Sequence, residues 1–144
     1  PSPWPTGPVE FGRALSPRVF LLKLTPGLSP DLIPDIFRLY DCVIVESFGV
    51  GGLPGGEQGE MFAELRRWCD SGRLAVFTTQ VPHEGCDLAV YEVDRAVGEL
   101  PGVLEAHDMT PEAVAVKLMW ALGQTQDRAE VMRLFETPVE VDII

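Results

Sequence analysis

Residues with chemical potential cluster in three places. Val45-Glu46-Ser47-Phe48-Gly49 puts a serine where an apolar run meets a glycine-rich turn, near the Gly-x-Ser-x-Gly pattern that exposes a nucleophile. Val45 stands where the first glycine belongs, and the base would have to be one of two histidines, His83 or His107. These departures favour a strand-end hydroxyl that bonds nearby backbone over a serine hydrolase. Gly49-Val50-Gly51-Gly52-Leu53-Pro54 approaches a dinucleotide fingerprint, with Pro54 in the last glycine's place. Acidic Glu57 and Glu60 follow and would repel a pyrophosphate, and no lysine stands where a Walker loop needs one. The glycines then serve to permit positive φ and close backbone packing. His83, Glu84, Cys86 and Asp87 form one polar cluster and His107-Asp108 another. Neither has HExxH or CxxC spacing, so both read as solvated loop residues and no metal or other cofactor is implied.

Elements that would position these residues are legible from periodicity. Residues 1–17 hold five prolines (Pro1, Pro3, Pro5, Pro8, Pro17), which exclude a regular helix or a central strand. They read as a linker or extended arm, with Trp4, Val9 and Phe11 available for docking. Residues 18–144 form the domain proper. Residues 18–24, 41–48 and 74–79 are nearly continuous apolar runs, as expected of strands covered on both faces. A short fourth strand is predicted over 102–105. Leu32, Ile33, Ile36, Phe37 and Tyr40 recur at helical spacing behind the cap signals Ser29 and Pro30. Met61, Phe62, Leu65, Trp68 and Cys69 form a second helical stripe closed by Gly72. Residues 94–100 suggest a short helix. Thr110, Pro111 and Glu112 open a helix that is apolar on nearly every face from Ala113 to Leu122, except at Lys117, and so is expected to be largely buried. A last helix is predicted from Asp127 to Phe135.

Strands alternating with helices through short connections define a three-layer, Rossmann-like α/β domain with a small, mostly parallel sheet flanked by helices. In such sheets functional groups gather in the loops beyond the carboxyl ends of the strands. The loop from Glu46 to Gly56 and the loop from Thr79 to Gly85 are therefore expected side by side, in a shallow cleft.

Composition sets the outer limits. The 144 residues are 46% hydrophobic and 23% charged, the make-up of one globular domain. No apolar run approaches the ~18 residues of a membrane helix. The net charge of −11 repels phosphate backbones and anionic lipid, so nucleic acid and membranes are set aside as partners. Three cysteines (Cys42, Cys69, Cys86) without metal spacing are expected as free thiols in a reducing cytoplasm. The sequence opens on Pro1 where translation opens on Met, so it is expected to be a processed product, a fragment or an engineered segment.

Two segments carry a family resemblance. Ser47-Phe48-Gly49-Val50-Gly51-Gly52-Leu53-Pro54 resembles the aromatic-Gly-x-Gly-Asn-x-Pro loop in the C-terminal domain of bacterial L-asparaginases. His107-Asp108-Met109-Thr110-Pro111-Glu112-Ala113-Val114-Ala115-Val116-Lys117-Leu118 resembles the Asp-Met-Thr-x-Glu-Ala-x-x-x-Lys-Leu signature of their cytoplasmic, type I branch. Thr79-Gln80, with Gly85 and Tyr91 after it, is similar to the family's Ser/Thr-Gln loop at altered spacing, and Leu24-Thr25-Pro26-Gly27 to its first strand and turn.

The resemblance covers residues 18–135 and implies the C-terminal half of an amidohydrolase that converts asparagine to aspartate and ammonia without a cofactor. It implies a dimer-building domain whose partners are its own N-terminal catalytic domain and a second copy. The family's Thr-Gly-Gly-Thr nucleophile segment is not among these residues, so no catalytic residue is assigned. Glu46, Ser47, Phe48, Gly49, Gly51, Gly52, Thr79 and Gln80 are the candidates for a loop near a substrate or effector site. Glu46, Gly52 and Val81 stand where type I members carry Arg, Asn and Cys, which argues against a retained effector site. Two alternatives are a free-standing, non-catalytic binding domain of the same fold and part of a related amidotransferase.

Overall fold

The computed structural model of the chain describes residues 14–47, 53–79 and 91–139. Residues 1–13, residues 48–52 with Phe48, Gly49, Gly51 and Gly52, and Gln80 with the segment through His83 and Cys86 lie outside them.

Four strands, β1 (Val19–Lys23), β2 (Cys42–Ser47), β3 (Leu74–Thr79) and β4 (Val103–Glu105), form one sheet in the order β1-β2-β3-β4. Every pairing is parallel, with Val19 beside Cys42, Cys42 beside Leu74 and Ala75 beside Val103. Cys42, Val43, Ile44 and Val45 are all 0% exposed, which explains why the central strand reads as unbroken apolar sequence. Alternation divides the sheet into two faces. Leu22, Leu24, Val43, Val45 and Ala75 pack on α1 (Leu32–Ile36), α2 (Glu60–Asp70) and α3 (Tyr91–Gly98) through Ile33, Leu65, Trp68 and Val97. Val19, Cys42, Ile44, Val76 and Leu104 pack on α4 (Pro111–Gln124) and α5 (Arg128–Glu136) through Val114, Leu118, Val131 and Phe135.

Local signals set most helix ends. Thr110 Oγ1 accepts from the Ala113 N–H at 3.2 Å, and Pro111 fills the first helical position of α4. Asp127 Oδ1 accepts from the Ala129 N–H at 3.2 Å and caps α5. Gly72 turns the chain out of α2 at φ +93°, where a side chain would be strained. Trp68, fully buried, satisfies its indole by donating to the Leu74 carbonyl at 2.8 Å.

Three elements differ from expectation, the third helix in that it runs over Tyr91–Gly98 where 94–100 is expected. The first helix, expected through Tyr40, is α-helical only over Leu32–Ile36. Residues beyond it tighten into turns in which the Leu39 and Tyr40 N–H groups share the Ile36 carbonyl, so the apolar spacing survives while the helix does not. In α4 the roles of two neighbours are exchanged. Lys117 is 7% exposed, whereas Val116 is 60% exposed. Lys117 lays its aliphatic stem in the interior and donates from Nζ to the Thr137 carbonyl at 2.9 Å, beyond the carboxyl end of α5. The helix is thus buried along one face only.

That asymmetry is measurable. Leu118→Ala should cost about 2–5 kcal/mol in urea unfolding, because it empties a fully buried site between α4 and the sheet. Val116→Ala, on the exposed face, should change stability by no more than about 0.5 kcal/mol.

Candidate functional site

The parallel sheet places the carboxyl ends of all four strands on one edge, and the candidate residues within the described part lie there. Ser47 ends β2 in register with Thr79 at the end of β3, so the two loop-bearing strand ends are neighbours, as the sequence suggests. The cleft expected between those loops involves residues outside the described ones. Glu46 sits one rung back, beside Lys23 on one side and Thr78 on the other. Its carbonyl accepts from the Leu24 N–H at 3.0 Å, which extends the β1–β2 ladder.

Ser47 is 4% exposed, and its Oγ donates to the Thr78 carbonyl at 3.2 Å. It is thus the strand-end hydroxyl bonding neighbouring backbone that the near-miss motif suggested, not a nucleophile presented to solvent. His107 follows β4 at the same edge and holds φ at +54° within a turn closed by the Met109 N–H on the Ala106 carbonyl at 3.1 Å. Asp108, the next residue, is exposed. Among the described residues no group of His, Cys, Asp and Glu is arranged to hold a metal ion.

A cleft of about 500 Å³ opens at the opposite, amino edge. Arg18, Arg73 and Arg128 line it together with Asp41, a convergence that positions so distant in sequence could not reveal. Each guanidinium is engaged. Arg18 Nε pairs with Asp41 at 2.8 Å. Arg73 Nε donates to the carbonyls of Phe37 and Tyr40 at 3.1 and 3.2 Å and stacks 3.3 Å above the Phe37 ring. Arg128 donates to the Cys69 carbonyl at 2.9 Å. In a parallel sheet the crossover helices end at this edge, and the arginines satisfy their terminal carbonyls and complement their dipoles. The cleft is explained by helix capping and is not the candidate site.

Comparison with known proteins agrees with the geometry. Residues 18–135 match the sequence profile of the Glutaminase/Asparaginase C-terminal domain, and the chain belongs to that family. It is 40% identical over 135 residues to an L-asparaginase of Thermococcus kodakarensis, covering 92% of this chain and 40% of that protein. The solved structure of the thermostable L-asparaginase from Thermococcus kodakarensis superimposes with a TM-score of 0.77 at 38% identity, over 91% of this chain and 39% of that one. A subunit of the Glutamyl-tRNA(Gln) amidotransferase of Metallosphaera sedula is 38% identical over 130 residues, covering 90% of this chain and 28% of that protein. The chain therefore spans well under half the length of these relatives. L-asparaginase I from Vibrio cholerae shares the fold, with a TM-score of 0.76 at 24% identity.

Both described cysteines are structural. Cys42 and Cys69 are free and buried. Burial pushes the Cys69 thiol from 9.0 up to about 12, and Cys42 rises as well, again chiefly through burial. The folded chain holds both protons more tightly than the unfolded chain does. Their contribution to stability is complete below pH 9.0 and is lost as the pH rises toward 12. Iodoacetamide at pH 8 should label neither residue in the folded chain and both after denaturation, as read by peptide mass spectrometry.

Proposed function

We propose that this chain is the carboxyl-terminal half of an L-asparaginase, contributing the edge formed by Glu46, Ser47 and Thr79 to a site whose catalytic groups lie on an amino-terminal domain. One observation carries the reading. A family match runs through residues 18–135, while the chain covers only 40% of its Thermococcus kodakarensis relative. Residues 1–17 are the linker between the two domains, Phe48, Gly49, Gly51, Gly52 and Gln80 are assigned to the same site by their sequence resemblance, and the full protein is a dimer. The resemblance of Asp108–Leu118 to the type I signature supports membership of that cytoplasmic branch. Asparagine is the substrate of the whole enzyme.

The domain alone supplies neither nucleophile nor acid–base partners, and catalysis by such groups collapses when they are removed together. The isolated chain should release no ammonia from asparagine. Calorimetry should also detect no saturable micromolar binding of asparagine or aspartate, because Glu46 stands where a cation would meet the ligand carboxylate. Ammonia release by the chain that disappears in Ser47→Ala would overturn the assignment.

Matches to subunits of several Glutamyl-tRNA(Gln) amidotransferases, such as that of Pyrococcus horikoshii at 32% identity over 150 residues, favour a second reading as the corresponding part of such an enzyme. Activity of the full-length protein decides between them. A fused enzyme that releases ammonia from free asparagine supports the first, and one that needs a glutamyl-tRNA acceptor supports the second.

A further inference from the structure

Ser47 is a buried uncharged polar side chain, and it sits in a strand otherwise built from Cys42, Val43, Ile44, Val45 and Glu46. A hydroxyl in such a place brings no apolar contact that alanine would lack, and its desolvation is offset only by the bond it makes. That bond runs sideways, from Oγ to the Thr78 carbonyl of the next strand, at the last rung before both strands leave the sheet. The carbonyl of Thr78 and the N–H of Thr79 belong to one rigid peptide plane. Together with the β2–β3 pairing that ends at this rung, the hydroxyl restrains the first and therefore the second, and with them the direction in which β3 leaves its carboxyl edge.

We infer that Ser47 is a positioning residue, acting through the Thr78–Thr79 peptide to set the backbone of the edge that the proposed site uses. The inference rests on that reading for its functional meaning. Its physical content is a local restraint at the β2–β3 exit, separate from overall stability. Valine and alanine could fill the same space without it, and the ladder bonds that hold the middle of β2 and β3 do not depend on it.

Residue-resolved hydrogen exchange on the 144-residue chain tests this without any assay of activity, so failure of the asparaginase reading leaves the test intact. In Ser47→Ala the amides of Thr78 and Thr79 should exchange at least tenfold faster, while those of Val43, Ile44 and Val76 keep their rates and the thermal midpoint holds. Ser47→Cys, which keeps the volume but offers a weak donor, should behave like the alanine variant. Ser47→Thr, which keeps the hydroxyl, should restore slow exchange. Unchanged exchange at Thr78 and Thr79 in both the Ala and Cys variants would overturn the inference. So would an acceleration spread equally over the whole sheet, which marks an ordinary loss of stability.

Discussion

Strands that pair in chain order, all parallel, carry a constraint that shapes everything else in this domain. Each crossover must return the chain to the same end of the sheet, and crossovers of one hand between successive neighbours deliver every helix to the same face. Here α1, α2 and α3 all pack against Leu22, Leu24, Val43, Val45 and Ala75. The opposite face, with Val19, Cys42, Ile44, Val76 and Leu104, would meet water if the chain ended at β4. Leaving that many apolar side chains exposed costs on the order of 1.5–3 kcal/mol each, more than a small domain can lose. The two helices after β4 are therefore a requirement of the strand order, and the Asp108–Leu118 signature is the start of the segment that meets it.

That requirement explains the care with which α4 and α5 are fixed. Thr110 and Asp127 cap their amino ends, Lys117 crosses the interior to bond the backbone beyond α5, and the chain ahead of β1 is drawn in as well. The Ser16 N–H donates to the Met119 carbonyl at 2.9 Å, and the Gln124 side chain donates to the Ala14 carbonyl at 3.0 Å. The close approach there leaves no room for a side chain at Gly123, whose Cβ would lie 2.3 Å from the Ala14 carbonyl oxygen. The same topology separates the two edges of the sheet chemically. Helix carboxyl ends and the arginines that satisfy them occupy the amino edge. The carboxyl edge is left to Glu46, Ser47, Thr79 and the His107 turn.

Most of the architecture is legible in the sequence because burial on two faces leaves so plain a mark. The run Cys42-Val43-Ile44-Val45 can hardly be anything but a central strand, and Thr110-Pro111-Glu112 announces a helix start with three independent signals. The first helix misleads because Ile36, Phe37 and Tyr40 are apolar for tertiary reasons. Phe37 meets Trp68 edge-on at 6.0 Å and Tyr40 lies 5.1 Å from Phe20, contacts that a turn serves as well as a helix. Lys117 misleads because its charge suggests exposure, while its distant acceptor at Thr137 is invisible to local periodicity. At the candidate edge, Ser47 is identifiable as a strand-end hydroxyl, but its acceptor, 31 residues away, is fixed only by the register of β2 on β3. The amino-edge arginines give no sequence signal at all, since most of their acceptors are backbone carbonyls on other elements.

The proposed role turns on whether this domain can serve the carboxyl edge of an amidohydrolase that it does not itself catalyse. The most direct measurement is ammonia release by a chimera in which residues 18–135 replace the matching segment of the Thermococcus kodakarensis L-asparaginase. A chimera that unfolds cooperatively and turns over asparagine is the expected result. A chimera that folds, assembles and still releases no ammonia would contradict it.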